Sequence, residues 1–412
     1  LGQLLQNEAL GAVSLDLKAT GSGDGINDLD ATLEATVSSF TYNNYEIEEF
    51  KILGELENGS GTITADYKDE NLNATFEAFV ELDSVAPRVV AELDVIGADL
   101  QAFGFTNRNI KTAFNLDATF EGNTVKYDLD SEISEGVFVY DNESYLLGDM
   151  YISAFVTPDT TALDVDNKMI DVELRSNSSP ADFSRAIFRH YESYLTGEKS
   201  KDTVGYPVNL ELLANINQSP IINDVFLPAL RELDTVAINV NFNEFESVLT
   251  AAIELPHINY SGYTIDSLSF YLDSNKEKFN FGLNFNEVIA GPINLKKTDL
   301  DGRIVNQDLM MDFTSVYDDK TLVHVASEVS KEDGKYKLHL NPEDLIFNFQ
   351  EWQIPASNEV LIKDYYAEFM DFRLTNGEQV VEFSEKMEEA NKEHVGIRFN
   401  NFELSTFLSY FN

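Results

Sequence analysis

Apolar and polar residues alternate with a period of two along most of this chain. In five clear runs, an apolar residue occupies every second position and mostly polar residues lie between. This period places the apolar side chains of a strand on one face of a sheet and leaves the other face to water. The apolar positions are Phe114, Leu116, Ala118 and Phe120; Val236, Ile238, Val240 and Phe242; Phe279, Phe281, Leu283 and Phe285; Tyr336, Leu338 and Leu340; and Leu345, Phe347 and Phe349.

Turn-forming residues separate these strands at short intervals. Glu57-Asn58-Gly59, Asp273-Ser274-Asn275 and Asp318-Asp319 are examples. Asn, Asp and Gly favour the backbone conformations of tight turns. The regular alternation of strands and helices that marks a parallel sheet is absent, so the pattern predicts a long antiparallel meander.

Three segments interrupt this pattern with helical signals. Ser179-Pro180-Ala181-Asp182 is a typical helix start, and apolar residues follow it at helical spacing through 196. Ser219-Pro220 opens a weaker candidate at 219–233, which Pro228 limits, and a third is predicted at 405–411. The expected organisation is therefore strand repeats at 1–178, a helical insertion at 179–196 and strand repeats at 197–412.

One internal repeat is visible. Residues 40–52 read FTYNNYEIEEFKI and residues 258–270 read INYSGYTIDSLSF, so that Tyr42 aligns with Tyr260 and Tyr45 with Tyr263. Repeated units without closed cores of their own indicate a solenoid. A chance match between aromatic-rich strands is the alternative. The predicted fold class is an all-β, elongated antiparallel β-solenoid with a few short helices.

Composition restricts the possible partners. The 412 residues include 72 Asp and Glu against 28 Lys and Arg, a net charge of −44. Such acidity disfavours nucleic acid and makes docking on an anionic membrane through a basic patch improbable. There is no Cys, and no apolar run reaches the roughly 20 residues of a transmembrane helix. Because the chain starts at Leu1, we expect an internal fragment or a processed product, with any membrane anchor outside it.

The chemistry of an active site is not evident. His190, His257, His324, His339 and His394 have none of the spacings of metal ligands. Gly21-Ser22-Gly23-Asp24-Gly25 does not match a dinucleotide fingerprint, and the nearby acids do not have the spacing of an EF-hand. We therefore predict no catalytic residues, no metal site and no cofactor, and a protein that is not an enzyme.

Several loose motifs accompany the tyrosine repeat in order along the chain. They are GADLQAFGF at 97–105, IDVELRSNSSPADFSRAIFRHYESYL at 170–195, LNPEDLIFNFQEWQIPASNEV at 340–360 and HVGIRFNNFELSTFLSYF at 394–411. Together they resemble the AsmA-like superfamily, and within it the TamB family (translocation and assembly module subunit) in its Bacteroidota-type form. The resemblance covers almost all of the chain.

This resemblance implies a fold and a function. Such proteins form a curled, open sheet called a β-taco, whose apolar groove carries phospholipid between the inner and outer membranes. They are anchored in the inner membrane of Gram-negative bacteria, cross the periplasm, and meet an outer-membrane barrel protein of the BamA or TamA type. Neither the anchor nor the barrel-binding end is identifiable here, so the chain would be the central part of the bridge, and the barrel contact would lie outside it.

The strand alternation then identifies candidate groove residues. An apolar trough would spare an acyl chain of about 15 methylenes the roughly 12 kcal/mol that its exposure to water costs. Two alternatives remain: a chaperone-like module that assists outer-membrane barrel assembly or autotransporter secretion, and a structural or adhesive solenoid with a packed interior. The predicted groove residues are Phe114, Leu116, Phe120, Val236, Ile238, Val240, Phe242, Phe279, Phe281, Leu283, Phe285, Leu338, Leu340, Phe347 and Phe349.

Overall fold

The computed structural model describes residues 9–43, 45–196, 206–291, 293–332, 334–363, 366–386 and 395–402, with the backbone alone at 293, 332 and 363. Strands make up 67% of the structure and helices 7%, which confirms the predicted all-β class with helical interruptions. The chain forms two compact units, the first of residues 1–180 and 214–228, the second of residues 181–213 and 229–412. The helix predicted at 405–411 lies outside the described residues.

The first unit is an antiparallel meander of twelve strands. Each strand pairs with the one before it, except that β10 pairs with β8 beyond the short β9. The strands are β1 (Leu10–Ser22), β2 (Asp30–Tyr42), β3 (Tyr45–Glu57), β4 (Ser60–Lys68), β5 (Leu72–Glu81), β6 (Arg88–Asp99), β7 (Ile110–Gly122), β8 (Tyr127–Tyr140), β9 (Glu143–Leu146), β10 (Met150–Thr157), β11 (Thr160–Asp166) and β12 (Ile170–Ser176), with a 3-10 turn at Ile26–Asp28.

A second chain segment, residues 214–228, completes the first unit. Its residues Ile221–Phe226 form a π-helical turn, inside the helix predicted at 219–233. Ile221 and Val225 are buried there against Ile110 at the start of β7. The turn ends before Pro228, which has no backbone N–H to continue a helix. The residues that follow form a strand instead.

The second unit is also an antiparallel meander, and a three-stranded sheet follows it. Its elements are helix α1 (Pro180–Thr196, within this unit from Ala181), β13 (Asn209–Ile216, within this unit to Leu213), β14 (Leu230–Leu233), β15 (Val236–Asn243), β16 (Val248–Tyr260), β17 (Tyr263–Ser274), β18 (Phe279–Phe285), β19 (Glu287–Ala290), β20 (Ile293–Leu295), β21 (Thr298–Val305), β22 (Asp308–Tyr317), β23 (Lys320–Glu332), β24 (Lys335–Leu340), β25 (Ile346–Phe347), β26 (Gln350–Glu351), β27 (Glu359–Lys363), β28 (Tyr366–Met370), β29 (Arg373–Asn376), β30 (Gln379–Ser384) and β31 (Gly396–Asn400).

Two-residue turns with left-handed backbone join many of these strands. Asn58-Gly59 connects β3 to β4, and Ser261-Gly262 connects β16 to β17, with positive φ at all four residues. Asp318-Asp319 does the same between β22 and β23. Turns of this kind match the twist of antiparallel strands. The Asn, Asp and Gly residues predicted as turns therefore set the register of the hairpins.

The two repeat segments form equivalent hairpins. Tyr42 pairs with Tyr45 and Tyr260 with Tyr263, and both second strands contain one left-handed residue, at Glu49 (φ 51°) and Ser267 (φ 55°). These residues align in the sequence repeat. The shared register and kink show that the repeat is a structural unit and not a chance match of side chains.

A compact core closes the C-terminal part of the second unit. Leu345, Trp352, Ile354 and Val381 are buried together, and Phe347 packs against them. The single Trp of the chain therefore lies in a packed core.

Candidate functional site

The register of the first unit aligns apolar residues from every long strand on one face. Leu116 of β7, for example, lies between Leu93 of β6 and Ile133 of β8. We call this surface the first apolar face. Its larger residues are Leu15, Leu17, Leu33, Val37, Phe50, Ile52, Leu56, Ile63, Phe76, Val80, Val89, Leu93, Val95, Phe114, Leu116, Phe120, Leu129, Ile133, Ile152, Val156, Leu163, Val165, Val172 and Leu174.

Most large side chains of the first apolar face are half-buried, whereas Val37, Val95 and Val156 are buried. Phe114, Leu116 and Phe120, the predicted groove residues of this unit, are all half-buried. At the edge strand β1, Leu15 and Leu17 are 49% and 53% exposed. Side chains packed between two layers are normally almost fully buried. These side chains contact their neighbours along the sheet and keep part of their apolar surface accessible.

The second unit builds a second apolar face by the same register. Ile238 pairs with Ile253, and Phe270 of β17 lies between Ile253 and Leu283. Its larger residues are Val236, Ile238, Val240, Phe242, Leu249, Ile253, Leu255, Leu268, Phe270, Leu272, Phe279, Phe281, Leu283, Phe285, Leu300, Ile304, Leu309, Met311, Phe313, Val323, Val325, Val329, Leu338, Leu340, Val360 and Ile362.

Helix α1 covers one end of the second apolar face. Phe242 is fully buried and Phe279 is 4% exposed. The ring of His190 lies 5.5 Å from that of Phe242, and the rings of Tyr191 and Tyr194 lie 5.8 and 5.1 Å from that of Phe279. The other predicted residues on this face, from Val236 to Val240 and from Phe281 to Phe285, are half-buried.

Polar contacts hold this helix on the sheet. Arg189 forms a 2.8 Å ion pair with Glu244, whose second oxygen accepts the backbone N–H of Val208 at 3.0 Å. His190 Nε2 lies 2.8 Å from Ser274 Oγ. Burial lowers the pKa of His190, and the carboxylate of Glu244 opposes this effect only in part. His190 is therefore neutral when α1 is docked on the sheet.

Glycines allow aromatic rings to lie flat on both faces of the second sheet. Phe281 covers its cross-strand partner Gly302, where a Cβ atom would lie 2.1 Å from Phe281 Cζ. On the opposite face, Tyr271 covers Gly282 in the same way and donates a 2.7 Å hydrogen bond to Asp301. This hydrogen bond and burial raise the pKa of Tyr271 to about 12. Any larger residue at Gly302 would push Phe281 off the sheet.

The run from Leu345 to Phe349 departs from strict alternation. Phe347 pairs with Gln350, and both Asn348 and Phe349 have left-handed backbone, so Phe349 lies in the turn between β25 and β26 and not on a strand. Its side chain is 46% exposed and its ring lies 6.4 Å from that of Tyr317. Leu338, Leu340 and Phe347 do lie on the second apolar face, and the last two pack against the Trp352 core.

Sequence reasoning missed many residues of both faces. Leu33 and Val37 in β2, and Val89, Leu93 and Val95 in β6, alternate as regularly as the chosen runs. Ala35 and Ala91 continue the same period of two in these runs, so the alternation that identified Phe114 and Phe120 also identifies these residues.

The opposite face of the first sheet is acidic. Glu77, Glu92, Asp117 and Glu132 are directly opposed on four neighbouring strands, and Tyr151 continues the row. A hydrogen bond with Glu132 raises the pKa of Tyr151. This row borders a cavity of about 500 Å³, and one of about 630 Å³ lies on the polar face of the second sheet. Carboxylate side chains line both cavities.

A histidine bridges three strands of the second unit. His257 Nδ1 contacts Asp266, and Nε2 lies 2.9 Å from Glu232. The hydrogen bond with Asp266 is the main cause of a raised pKa at His257, and the bond with Glu232 adds to it. The bridge is therefore strongest when the imidazole is charged.

Neither a metal cluster nor a spanning helix is found in the described part of the chain. No group of three or more His, Asp or Glu side chains there has the arrangement of a metal site. No helix among these residues is long and apolar enough to cross a membrane. The chain also has no match among protein-family models, curated proteins or solved structures. The geometry of the two apolar faces is therefore the main indication of function.

Proposed function

We propose that the two apolar faces hold phospholipid acyl chains, and that the chain is the central part of a bridge that moves phospholipid between two membranes. The observation that carries this proposal is that most large side chains on both faces are half-buried and not fully buried. An apolar surface that is continuous from strand to strand and partly accessible suits a long, flexible apolar ligand. Large exposed apolar patches on a protein commonly mark interaction sites.

The energetics of transfer favour such a surface. Each methylene removed from water gains about 0.8 kcal/mol, so bare passage of an acyl chain through water is slow. The apolar faces present Leu, Val, Ile and Phe at nearly every described strand, so that a tail would contact similar side chains from one strand to the next. A chain moving along them would therefore meet small energy differences between neighbouring positions.

The finer features of the proposal follow the resemblance to the TamB family. In this proposal each sheet curls around its apolar face as a β-taco, and the protein works in the periplasm of a Gram-negative bacterium. A segment outside this chain anchors it in the inner membrane, and a region outside this chain meets a barrel protein of the outer membrane. The protein carries lipid without chemical change, so it is not an enzyme and uses no cofactor.

Site-specific photo-crosslinking tests the proposal. A photoreactive amino acid at Val240 or Leu116 points to an apolar face, whereas one at Asn241 or Asp117 points to the opposite face. We expect phospholipid adducts, identified by mass spectrometry, at the first pair and not at the second. Equal labelling at both pairs, or adducts only at the outward pair, would contradict the proposal.

Barrel assembly is a second candidate function. Among the described strands, β1 pairs only with β2, and its other edge is open over Leu10–Ser22. An open edge can add a strand of a client protein through main-chain hydrogen bonds. Depletion experiments separate the two functions: if barrel assembly fails before the phospholipid distribution changes, the chaperone function is primary.

A further inference from the structure

The tyrosine pair of the first repeat is packed against an aromatic turn. Tyr45 lies 4.4 Å from Phe103 and Tyr42 lies 5.8 Å from Phe105, measured between ring centroids. Phe103 is 7% exposed. Phe103-Gly104-Phe105 belongs to the loop between β6 and β7, so one segment supplies both rings. The hairpin tip of Tyr42 and Tyr45 is thus an aromatic binding site with a bound turn.

The backbone of this turn is also recognised. Asn43, at the hairpin tip, donates a 2.8 Å hydrogen bond from Nδ2 to the carbonyl oxygen of Phe103. Gly104 has a φ of +71°, and a Cβ atom on it would lie 2.4 Å from Asn43 Nδ2. Only glycine meets both conditions. The site therefore selects two aromatic residues with a glycine between them.

The second repeat forms a hairpin tip of the same backbone geometry. The N–H of Ser261 donates to the carbonyl of Ala229 at 2.5 Å, as the N–H of the aligned Asn43 donates to Ala9 at 2.7 Å. The left-handed kink after the tip is conserved between the copies at Ser267 and Glu49. The two tips are therefore alike in strand register, in kink and in their anchoring hydrogen bond.

The tyrosines of the second tip are exposed. Tyr260 and Tyr263 are 46% and 52% exposed, whereas Tyr42 and Tyr45 are half-buried. Within the described ranges, no aromatic ring stacks on Tyr260 or Tyr263. Ser261 aligns with Asn43 in the repeat, and its hydroxyl can also donate to a carbonyl oxygen.

We propose that the tip of Tyr260 and Tyr263 binds an aromatic-glycine-aromatic turn of a partner polypeptide, as the first tip binds Phe103-Gly104-Phe105. The internal complex identifies the chemistry of the partner: two rings for the two tyrosines, and a glycine that lets the turn approach the hairpin. Aromatic pairs of this kind give modest attraction, so the contact is reversible. This interaction does not depend on whether the apolar faces carry lipid.

A labelled peptide tests the proposal on the full chain. The probe is an acetylated, fluorescent peptide with the sequence of residues 99–108, DLQAFGFTNR, and binding is followed by fluorescence anisotropy. We expect saturable binding that the double variant Tyr260→Ala/Tyr263→Ala weakens about tenfold or more, because two ring contacts are lost. The matched variant Tyr42→Ala/Tyr45→Ala alters the other tip and should leave peptide affinity unchanged.

A second peptide examines the shape of the turn. Replacing its central glycine by alanine keeps both aromatic rings but disfavours the left-handed backbone, so it should bind more weakly. Because Tyr260 and Tyr263 are exposed, their substitution should leave the thermal unfolding temperature nearly unchanged, which separates lost binding from lost folding. Absence of saturable binding, or equal affinity for wild type and the Tyr260→Ala/Tyr263→Ala variant, would overturn the proposal.

Discussion

The two apolar faces arise from the same strand alternation but differ in what packs over them. In both, strand alternation puts Phe, Leu, Ile and Val on one side of an antiparallel meander. Phe114 and Phe120 on the first face remain half-buried, whereas α1 buries Phe242 and Phe279 at one end of the second. Among the described residues, the π-helical turn buries Ile110 at the end of the first face, but no helix packs over Phe114 and Phe120 as α1 packs over Phe242 and Phe279.

This difference shows what strand alternation determines and what it does not. Alternation assigns the face of a side chain, but the burial of that side chain depends on what packs above it. A face that is covered contributes fully to stability, because its residues lose all contact with water. A face that is half-exposed gives up part of that stabilisation and keeps an accessible surface.

Truncating one Phe on each face tests this contrast most strongly. Phe242→Ala removes a fully buried ring beneath α1 and should lower the free energy of unfolding by about 3–5 kcal/mol. Phe120→Ala removes a half-buried ring and should lower it by roughly 1 kcal/mol. Urea unfolding followed by circular dichroism measures both. Equal losses would mean that Phe120 is also covered.

The ion pair that holds α1 gives the next largest effect. Ser274 is fully buried beside His190, so the thiol of a Ser274→Cys variant reports opening of the helix in a chain that has no other Cys. Adding Arg189→Glu places two acids together and should speed thiol labelling about tenfold. Adding Glu244→Arg to that variant restores opposite charges and should slow labelling again, though not fully, because Val208 loses its acceptor.

The control for this measurement is Ser315→Cys, at a site that is equally buried but distant in sequence and hydrogen-bonded to Thr298. Its labelling rate should not respond to Arg189→Glu, since it reports only wider unfolding. If both thiols respond equally, α1 and the sheet open together and the helix is not a separable cover.

Much of this architecture follows from the sequence, and the exceptions have physical causes. Alternation places Phe114, Val240 and Phe281 on the apolar faces, and the Ser-Pro-x-Asp start locates α1. It misplaces Phe349, because Asn348 and Phe349 adopt left-handed backbone in a two-residue turn without glycine. The cover over Phe242 depends on tertiary contacts from α1, which no local period encodes.

Two histidines of the second unit should give opposite pH dependences. The pKa of His190 is lowered by burial, so the unfolded chain takes up the proton first and α1 loses stability as pH falls below about 6.5. His190→Gln should therefore be more destabilising at pH 8 than at pH 5 in urea unfolding. The carboxylate of Glu244 opposes the shift, which limits its size.

His257 supplies the matched comparison. Its pKa is raised by Asp266 and Glu232, so its contribution to stability is complete below about 6.5 and is lost as pH rises through the raised pKa. His257→Gln should therefore be more destabilising at pH 6 than at pH 9. The same sign for both variants would show that the burial of His190 between α1 and the sheet does not control the charge of its imidazole.

The smallest predicted effect concerns the polar faces, which also differ between the units. Glu92 lies directly between Glu77 and Asp117, whereas Glu328 of the second unit lies between Met310 and His339. Like charges opposed across strands repel, so Glu92→Gln should raise the free energy of unfolding by a few tenths to about 1 kcal/mol. Glu328→Gln should not raise the free energy of unfolding, because Glu328 has no acid directly opposite.

Salt distinguishes charge repulsion from other effects of Glu92→Gln. The screening length falls from about 30 Å at 0.01 M ionic strength to about 3 Å at 1 M, so the gain should be largest in low salt and nearly absent in 1 M NaCl. Urea unfolding at both salt concentrations measures this. If the gain in the free energy of unfolding persists in 1 M NaCl, it comes from strand propensity, because Gln and Glu differ in strand propensity independently of charge. A gain that disappears would show that the first sheet tolerates a row of repelling carboxylates, because the cross-strand packing of its apolar face is sufficient to hold the strands in register.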